Sequence, residues 1–193
     1  MSDISHSTHE SSQVSKEPEQ REGTNLNSES IDDGRTSDLK FFYILLGCVV
    51  LFAIYNAMGF WYYSIDDSYI SLHYAGRLID GFGLTYIDGE HVEGFSNPSW
   101  VFILALTLLL GFNSLVGAKI LGVLAHGSMI ISCAAIVKRL LQPTERQDYI
   151  LLICGMIFLS ISLPLTFWPA TGMETTFYIF MIMATYWRVL YES

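Results

Sequence analysis

Basic residues are scarce in this sequence. Among its 193 residues, ten are Lys or Arg and 19 are Asp or Glu, which gives a formal net charge of -9. Proteins that bind nucleic acids neutralise the phosphates with clustered Lys and Arg side chains. The acidic balance therefore argues against nucleic acid as a partner.

Charged residues of either sign are also few. They make up 15% of the chain, whereas hydrophobic residues make up 51%. The mean hydropathy is +0.39. An average soluble domain is about 25% charged. The composition therefore predicts an integral membrane protein.

Cysteine is limited to three residues, Cys48, Cys133 and Cys154, and each lies inside an apolar run. Their spacing fits no metal-binding motif, and no polar side chains surround them. We interpret them as small buried or lipid-facing residues rather than as a disulfide or a metal site.

Large apolar side chains are nearly absent from residues 1–40, which carry nine acidic and four basic residues and are rich in Ser, Glu, Thr and Asn. Such a segment cannot bury a core, so we expect a disordered, acidic, cytoplasmic tail. A polar leader of this length also argues against a cleaved signal peptide, so we expect the first apolar run to be retained.

Apolar runs long enough to cross a membrane follow the tail. A helix needs about 20 residues to span the hydrocarbon layer. The sequence predicts an all-α integral membrane protein with about four transmembrane helices and further juxtamembrane helices on the outer face. The four predicted crossings are residues 41–63, 115–137, 149–168 and 175–190.

A fifth apolar run, residues 100–112, decides the topology. If it crossed, the loop with Lys138, Arg139 and Arg146 would lie outside together with the acidic loop 64–98. Basic loops favour the cytoplasmic side. We therefore predict that the short run lies along the interface, that the N-terminus is cytoplasmic and that loop 64–98 is outside.

Two adjacent carboxylates, Asp66 and Asp67, come shortly after a run of four aromatic residues at 60–63. Carboxylates beside hydrocarbon are costly without a task or a partner. The stretch 68–79 predicts a short helix near the membrane surface, with Ile70, Tyr74 and Leu78 on one face. A structural interpretation of the carboxylates is that both are merely caps of its N-terminus.

The pattern IDDSYISLHYAGRLIDGFGLTYIDGEHVEGFSNPSW, followed by FWPATGMETTFYIF, covers about half of the chain. It resembles the N-terminal part of membrane glycosyltransferases of the GT-C class. The branch it resembles most contains the mycobacterial-type terminal arabinofuranosyltransferases, which use a polyprenyl-phosphate sugar donor. The resemblance implies that residues 41–193 form the N-terminal part of a GT-C-like transmembrane domain.

The resemblance also implies an activity and two catalytic residues. A sugar would pass from a polyprenyl-phosphate donor to a glycan or lipid-linked acceptor of the cell envelope, at the outer face of a bacterial inner membrane. Asp66 would be the general base for the acceptor hydroxyl, and Asp67 would orient it or hold a divalent cation.

Several other residues are candidates for binding substrate. Arg77 and Lys119 are the bases that the predicted topology leaves outside, so they are expected phosphate partners; snorkelling side chains are the structural alternative. Glu174 could bind the acceptor or simply begin a helix. Further donors and acceptors come from the outer loop, namely Glu93 and Asn97.

The length of the chain leaves a second function open. Members of the GT-C class are longer and have more crossings. If this chain is catalytic, we therefore expect either a truncated product or one half of a split enzyme whose second chain supplies further helices. The alternative is a non-catalytic membrane scaffold or partner subunit derived from such an enzyme. A transporter is disfavoured because the crossings carry almost no ionisable groups.

Overall fold

The computed structural model describes residues 17–89 and 94–192, with side chains from residue 34 onward. Within these residues the protein is all-helical, as the sequence predicts. Its helices are α1 (Glu17–Met58), α2 (Asp66–Ile79), α3 (Pro98–Leu109), α4 (Ser114–Leu141), α5 (Arg146–Ile161), α6 (Leu163–Ala170) and α7 (Thr175–Glu192).

The chain divides into two compact units, Met1–Lys40 and Phe41–Ser193. In the first unit, residues 17–40 are helical, although their composition predicts disorder. Residues 1–16 lie outside the described part of the chain. The cytoplasmic location of this acidic tail stays a prediction.

Two helical segments, Gly34–Met58 and Ser114–Leu141, are long and apolar enough to cross a membrane. The pair α5 and α6 counts as a third crossing if the two helices form one bent span. Helix α7 has 18 residues, but it is less apolar than these helices. Its threonines, tyrosines and Arg188 lower its mean hydropathy. The four predicted crossings are therefore not all confirmed.

The predicted crossing 149–168 is broken rather than continuous. Ser162 is extended (φ -63°, ψ 116°) and separates α5 from α6, which meet at a bend of 53°. Pro164 lies in the first turn of α6. Proline has no N–H to bond the carbonyl four residues earlier, and its ring clashes with that carbonyl, so one straight helix cannot pass through this point.

Helix α4 is the central helix of the second unit. Gly127 lies against Val50 and Ile54 of α1. The Asn56 side chain donates to the Ser160 carbonyl at 3.4 Å, which joins α1 to α5. A polar bond of this kind between apolar helices fixes their relative register.

The helices of the second unit meet at two distinct ends. At the basic end, defined by residues 41–43 and 138–149, the Phe42 and Tyr149 rings lie 5.4 Å apart. The loop end comprises residues 60–74, 94–119 and 167–177, which contact one another across several helices. The acidic loop and the TGMET segment therefore lie at the same end, as the sequence predicts.

Helix α3 lies across the loop end and does not run the length of the bundle. Trp100 packs on Phe177 with ring centroids 5.4 Å apart, and Thr107 lies against Gly117. Both partners belong to the first turns of α7 and α4. At 12 residues, α3 is about 18 Å long, which is too short to span a bilayer.

Helix α2 packs on α3 through the face that the sequence predicts. Tyr74 is fully buried, and Ile70 and Leu78 are partly buried against the same cluster. The helix ends at Ile79, and Gly81 follows in a left-handed conformation (φ +87°). This packing holds the N-terminal turn of α2 at the loop end.

A close contact between α4 and α6 supplies a stability prediction. A Cβ atom on Gly122 of α4 would lie 2.2 Å from the Pro169 carbonyl oxygen of α6. Gly122→Ala should therefore destabilise the solubilised protein by about 2 kcal/mol or more, because backbone must move. Thermal unfolding followed by tryptophan fluorescence measures the change.

Gly47→Ala and Gly155→Ala are matched controls, because a Cβ at either helical glycine meets nothing within 4 Å. Alanine is the better helix former, so neither control should lower the unfolding temperature. Equal unfolding temperatures for Gly122→Ala and both controls would contradict the close contact between α4 and α6.

Candidate functional site

The two aspartates lie in the first turn of α2 and do not cap it. The cap residue is Ile65, in an extended conformation, and no side chain bonds the free amides there. The Ser68 hydroxyl donates to the Ile65 carbonyl at 2.6 Å. The capping interpretation of Asp66 and Asp67 is therefore wrong, because the helix begins at Asp66 itself; the helix dipole still favours both charges.

Both carboxylates are exposed. Within the described part of the chain, neither Asp66 nor Asp67 accepts a hydrogen bond or forms an ion pair. Structural aspartates at helix starts normally bond backbone amides. This pair therefore makes no visible contribution to holding the fold together, and both carboxylates are available to a ligand.

The carboxylates line a cavity of about 750 Å³ at the loop end. Its walls come from the first half of α2, from the segment after α2 and from the start of α4. Most of the lining side chains are polar. The complete lining consists of Asp66, Asp67, Tyr69, Ile70, Leu72, His73, Tyr86, Asn113, Ser114 and Leu115.

The wall from α4 is fixed by a helix cap. Asn113 accepts hydrogen bonds from the Leu115 and Val116 amides at 3.1 and 3.2 Å. Sequence reasoning missed Asn113 and Ser114 as cavity residues. An Asn before an apolar run signals a helix start, but only the fold brings this start beside α2.

The cavity lining also contains His73, further along α2, and Tyr86 of the segment after α2. The Nε2 atom of His73 lies 2.9 Å from the Tyr86 carbonyl oxygen, and the two rings are 4.6 Å apart. A carbonyl can only accept, so Nε2 carries a proton and donates. The other ring nitrogen, Nδ1, stays available to a ligand.

Arg77 lies one turn beyond His73 but does not line the cavity. Its Nε donates to the Thr85 hydroxyl at 3.1 Å, and its guanidinium forms an ion pair with Asp88. The Phe82 ring lies 4.6 Å below the guanidinium carbon. Arg77 therefore clamps the segment after α2, which leaves it poorly placed for the predicted phosphate contact.

Lys119 is buried inside the bundle and also lies outside the cavity lining. Its ammonium donates to the Trp61 carbonyl at 2.6 Å and to the Tyr63 carbonyl at 2.8 Å. These bonds tie α4 to the chain leaving α1. The structure thus gives Lys119 a structural role, and its contact with phosphate stays a prediction.

Two further candidates hold the segment before α3 in place. Asn97 caps α3 by accepting from the Trp100 amide at 3.3 Å. Glu174 accepts a hydrogen bond from the Ser96 hydroxyl at 2.7 Å, which ties this segment to the start of α7. Neither lines the cavity, and Glu93 lies outside the described residues.

A divalent cation would have few protein ligands here. The described residues contain no group of three or more His, Cys, Asp or Glu side chains that could hold a metal ion. Asp66 and Asp67 alone fit a Mg²⁺-like ion only where phosphate oxygens of a substrate and water complete the octahedron. A resident metal is therefore not required by these side chains.

The structural role of Lys119 can be tested by removing its charge. Lys119→Met should lower the free energy of unfolding by about 3 kcal/mol, because two charge-assisted hydrogen bonds are lost. Lys138→Met is the matched control: Lys138 lies at the other end of α4, and its bond to the Tyr43 hydroxyl is exposed. That control should cost less than about 1 kcal/mol.

Equal stability of both lysine variants in thermal unfolding would contradict the structural role. A phosphate-binding lysine would instead show normal stability and weakened donor binding.

No protein-family model, no curated protein and no solved structure matches this chain.

Proposed function

We propose that this chain is a glycosyltransferase, or part of one, that transfers a sugar from a polyprenyl-phosphate donor to a cell-envelope acceptor at the outer face of the membrane. One observation carries the proposal. Asp66 and Asp67 line a cavity of about 750 Å³ without any structural partner among the described residues. The motif resemblance to GT-C enzymes supports the same assignment.

Asp66 is the better candidate for the general base. It shares a helix face with Tyr69, Ile70 and His73, which also line the cavity. In the proposed reaction, its carboxylate takes the proton of an acceptor hydroxyl while that oxygen attacks the anomeric carbon. The bond from this carbon to the phosphate oxygen breaks, and its electron pair leaves with the polyprenyl phosphate. Asp67 orients the acceptor or contacts a cation.

An apolar groove at the loop end suits the lipid part of such a donor. It has a volume of about 500 Å³ and is lined entirely by apolar and aromatic side chains, namely Phe60, Tyr63, Leu163, Pro164, Phe167 and Trp168. Aromatic rings of this kind favour the membrane interface. Tyr63 comes three residues before Asp66, so the carboxylates lie near the level of lipid headgroups.

The proposed topology has four crossings and a cytoplasmic N-terminus. Helix α7 is the fourth crossing, with the bent pair of α5 and α6 as the third. The basic end carries Lys138, Arg139 and Arg146, whereas loop 64–98 and Glu174 together hold seven of the ten acidic residues of the second unit. The positive-inside rule then places the basic end in the cytoplasm.

The topology predicts which residues an impermeant thiol reagent reaches. In a background without native cysteines, Asp80→Cys should react in intact cells, because this exposed residue directly follows α2 in loop 64–98. Gln147→Cys, exposed at the basic end, should react only after permeabilisation. Labelling of Gln147→Cys in intact cells would invert or abolish the proposed topology.

The catalytic role predicts that Asp66→Asn lowers transfer by about 100-fold or more, because the amide cannot accept the proton. Transfer of a labelled sugar is measured in membranes that contain this chain together with any partner chain it needs. Donor binding should be retained, because a general base acts in the transition state.

Asp80→Asn is the matched control, since Asp80 lies at the far end of the same helix and does not line the cavity. Its transfer rate should equal that of the unaltered protein. Full transfer by both Asp66→Asn and Asp67→Asn would refute the catalytic assignment and favour a non-catalytic scaffold.

A further inference from the structure

The donor phosphate needs a cationic or hydrogen-bonding partner, and the two bases predicted for that task are engaged elsewhere. Arg77 clamps the segment after α2, and Lys119 holds the end of α1. Among the described residues that line the cavity, His73 is the one basic side chain. The α4 start offers little, because Asn113 already bonds its amides.

We propose that His73 binds the phosphate group of the lipid-linked donor, which deepens the proposed function and rests on it. Its Nε2 donates to the Tyr86 carbonyl at 2.9 Å. When the ring carries a second proton, Nδ1 donates as well. The Tyr86 carbonyl thus fixes the ring, and Nδ1 presents a charge-assisted hydrogen bond to a phosphate oxygen.

The spacing between Asp66 and His73 matches the proposed reaction. The two residues lie seven positions apart on one face of α2, which separates them by about 10 Å along the helix. In an in-line displacement, the base and the phosphate lie on opposite sides of the anomeric carbon. The base and the phosphate-binding group are connected by one hydrogen bond to the acceptor, by the bonds that form and break at the anomeric carbon, and by one hydrogen bond to the phosphate. Together these contacts also extend over roughly 10 Å.

The charge change on the donor favours the same position. The phosphodiester of the donor carries one negative charge, and the leaving polyprenyl phosphate gains a second as the bond breaks. A cation near the leaving oxygen therefore stabilises the transition state more than the bound donor.

The titratable groups that line the cavity with His73 are Asp66, Asp67, Tyr69 and Tyr86, and the carboxylates lie about two turns away along α2.

Binding of farnesyl phosphate to the intact chain in uncharged phosphatidylcholine nanodiscs tests the proposal. Farnesol and inorganic phosphate are the comparison probes. His73→Gln should weaken farnesyl phosphate binding about tenfold or more, because one charge-assisted hydrogen bond is lost. The Gln amide can still donate to the Tyr86 carbonyl, so the loop should stay anchored. His73→Lys should retain most of the affinity, and farnesol binding should not change in either variant.

Arg77→Gln distinguishes phosphate binding by His73 from phosphate binding by Arg77, which the sequence predicts. It should weaken farnesyl phosphate binding less than His73→Gln does, since Arg77 does not line the cavity and acts on it only through the loop that carries Tyr86. Loss of affinity in Arg77→Gln with none in His73→Gln would overturn the proposal. Equal weakening of farnesol and farnesyl phosphate by His73→Gln would also overturn it, because the residue would then act on the cavity's shape.

The comparison probes also identify the source of the phosphate. Inorganic phosphate that displaces farnesyl phosphate with equal affinity would indicate a site for free phosphate and would overturn the lipid-linked assignment. The measurement requires no sugar transfer, so it fails independently of the catalytic test. Selective farnesyl phosphate binding without transfer in the complete system would refute the proposed function and leave the His73 site intact.

Discussion

The position of the cavity depends on one buried amine. The Lys119 ammonium bonds two carbonyls of residues 61–63, just after α1 ends, and so fixes where the chain leaves that helix. Asp66 begins α2 only three residues later. A buried ammonium that lost these partners would leave a costly unpaired charge. This polar contact therefore also sets the height at which the two carboxylates emerge.

A second set of contacts holds the loop that carries Tyr86, which contributes to the cavity lining. Arg77 binds Asp88 and Thr85, while the Tyr74 hydroxyl accepts a hydrogen bond from the Gly94 amide at 3.0 Å. These contacts anchor both sides of the loop that carries Tyr86. Because Tyr86 orients His73 through its carbonyl, the arginine influences the cavity indirectly, by positioning a loop rather than by touching a ligand.

Hydrophobic periodicity and charge were enough to predict the all-helical class, the buried face of α2 and the short α3 across the loop end. They failed at the bend before α6, where Pro164 interrupts an otherwise uniform apolar run. The paired aspartates could be found from their position beside aromatic residues. The roles of Arg77 and Lys119 could not, because a sequence shows a base but not the carbonyl or carboxylate that engages it. Asn113 and Ser114 join the site only through tertiary packing of α4 against α2.

The unpaired carboxylates indicate a division between stability and function. Both lie in the first turn of α2, where the helix dipole is their one source of stabilisation among the described residues. This effect is usually below about 1 kcal/mol for exposed groups. Two adjacent negative charges repel each other, which offsets part of that gain. Loss of either charge should therefore change folding little. A large effect on transfer without an effect on stability would then report chemistry in the cavity. Loss of the Lys119 or Arg77 charge should instead lower stability, because their contacts hold the segments around the cavity in place.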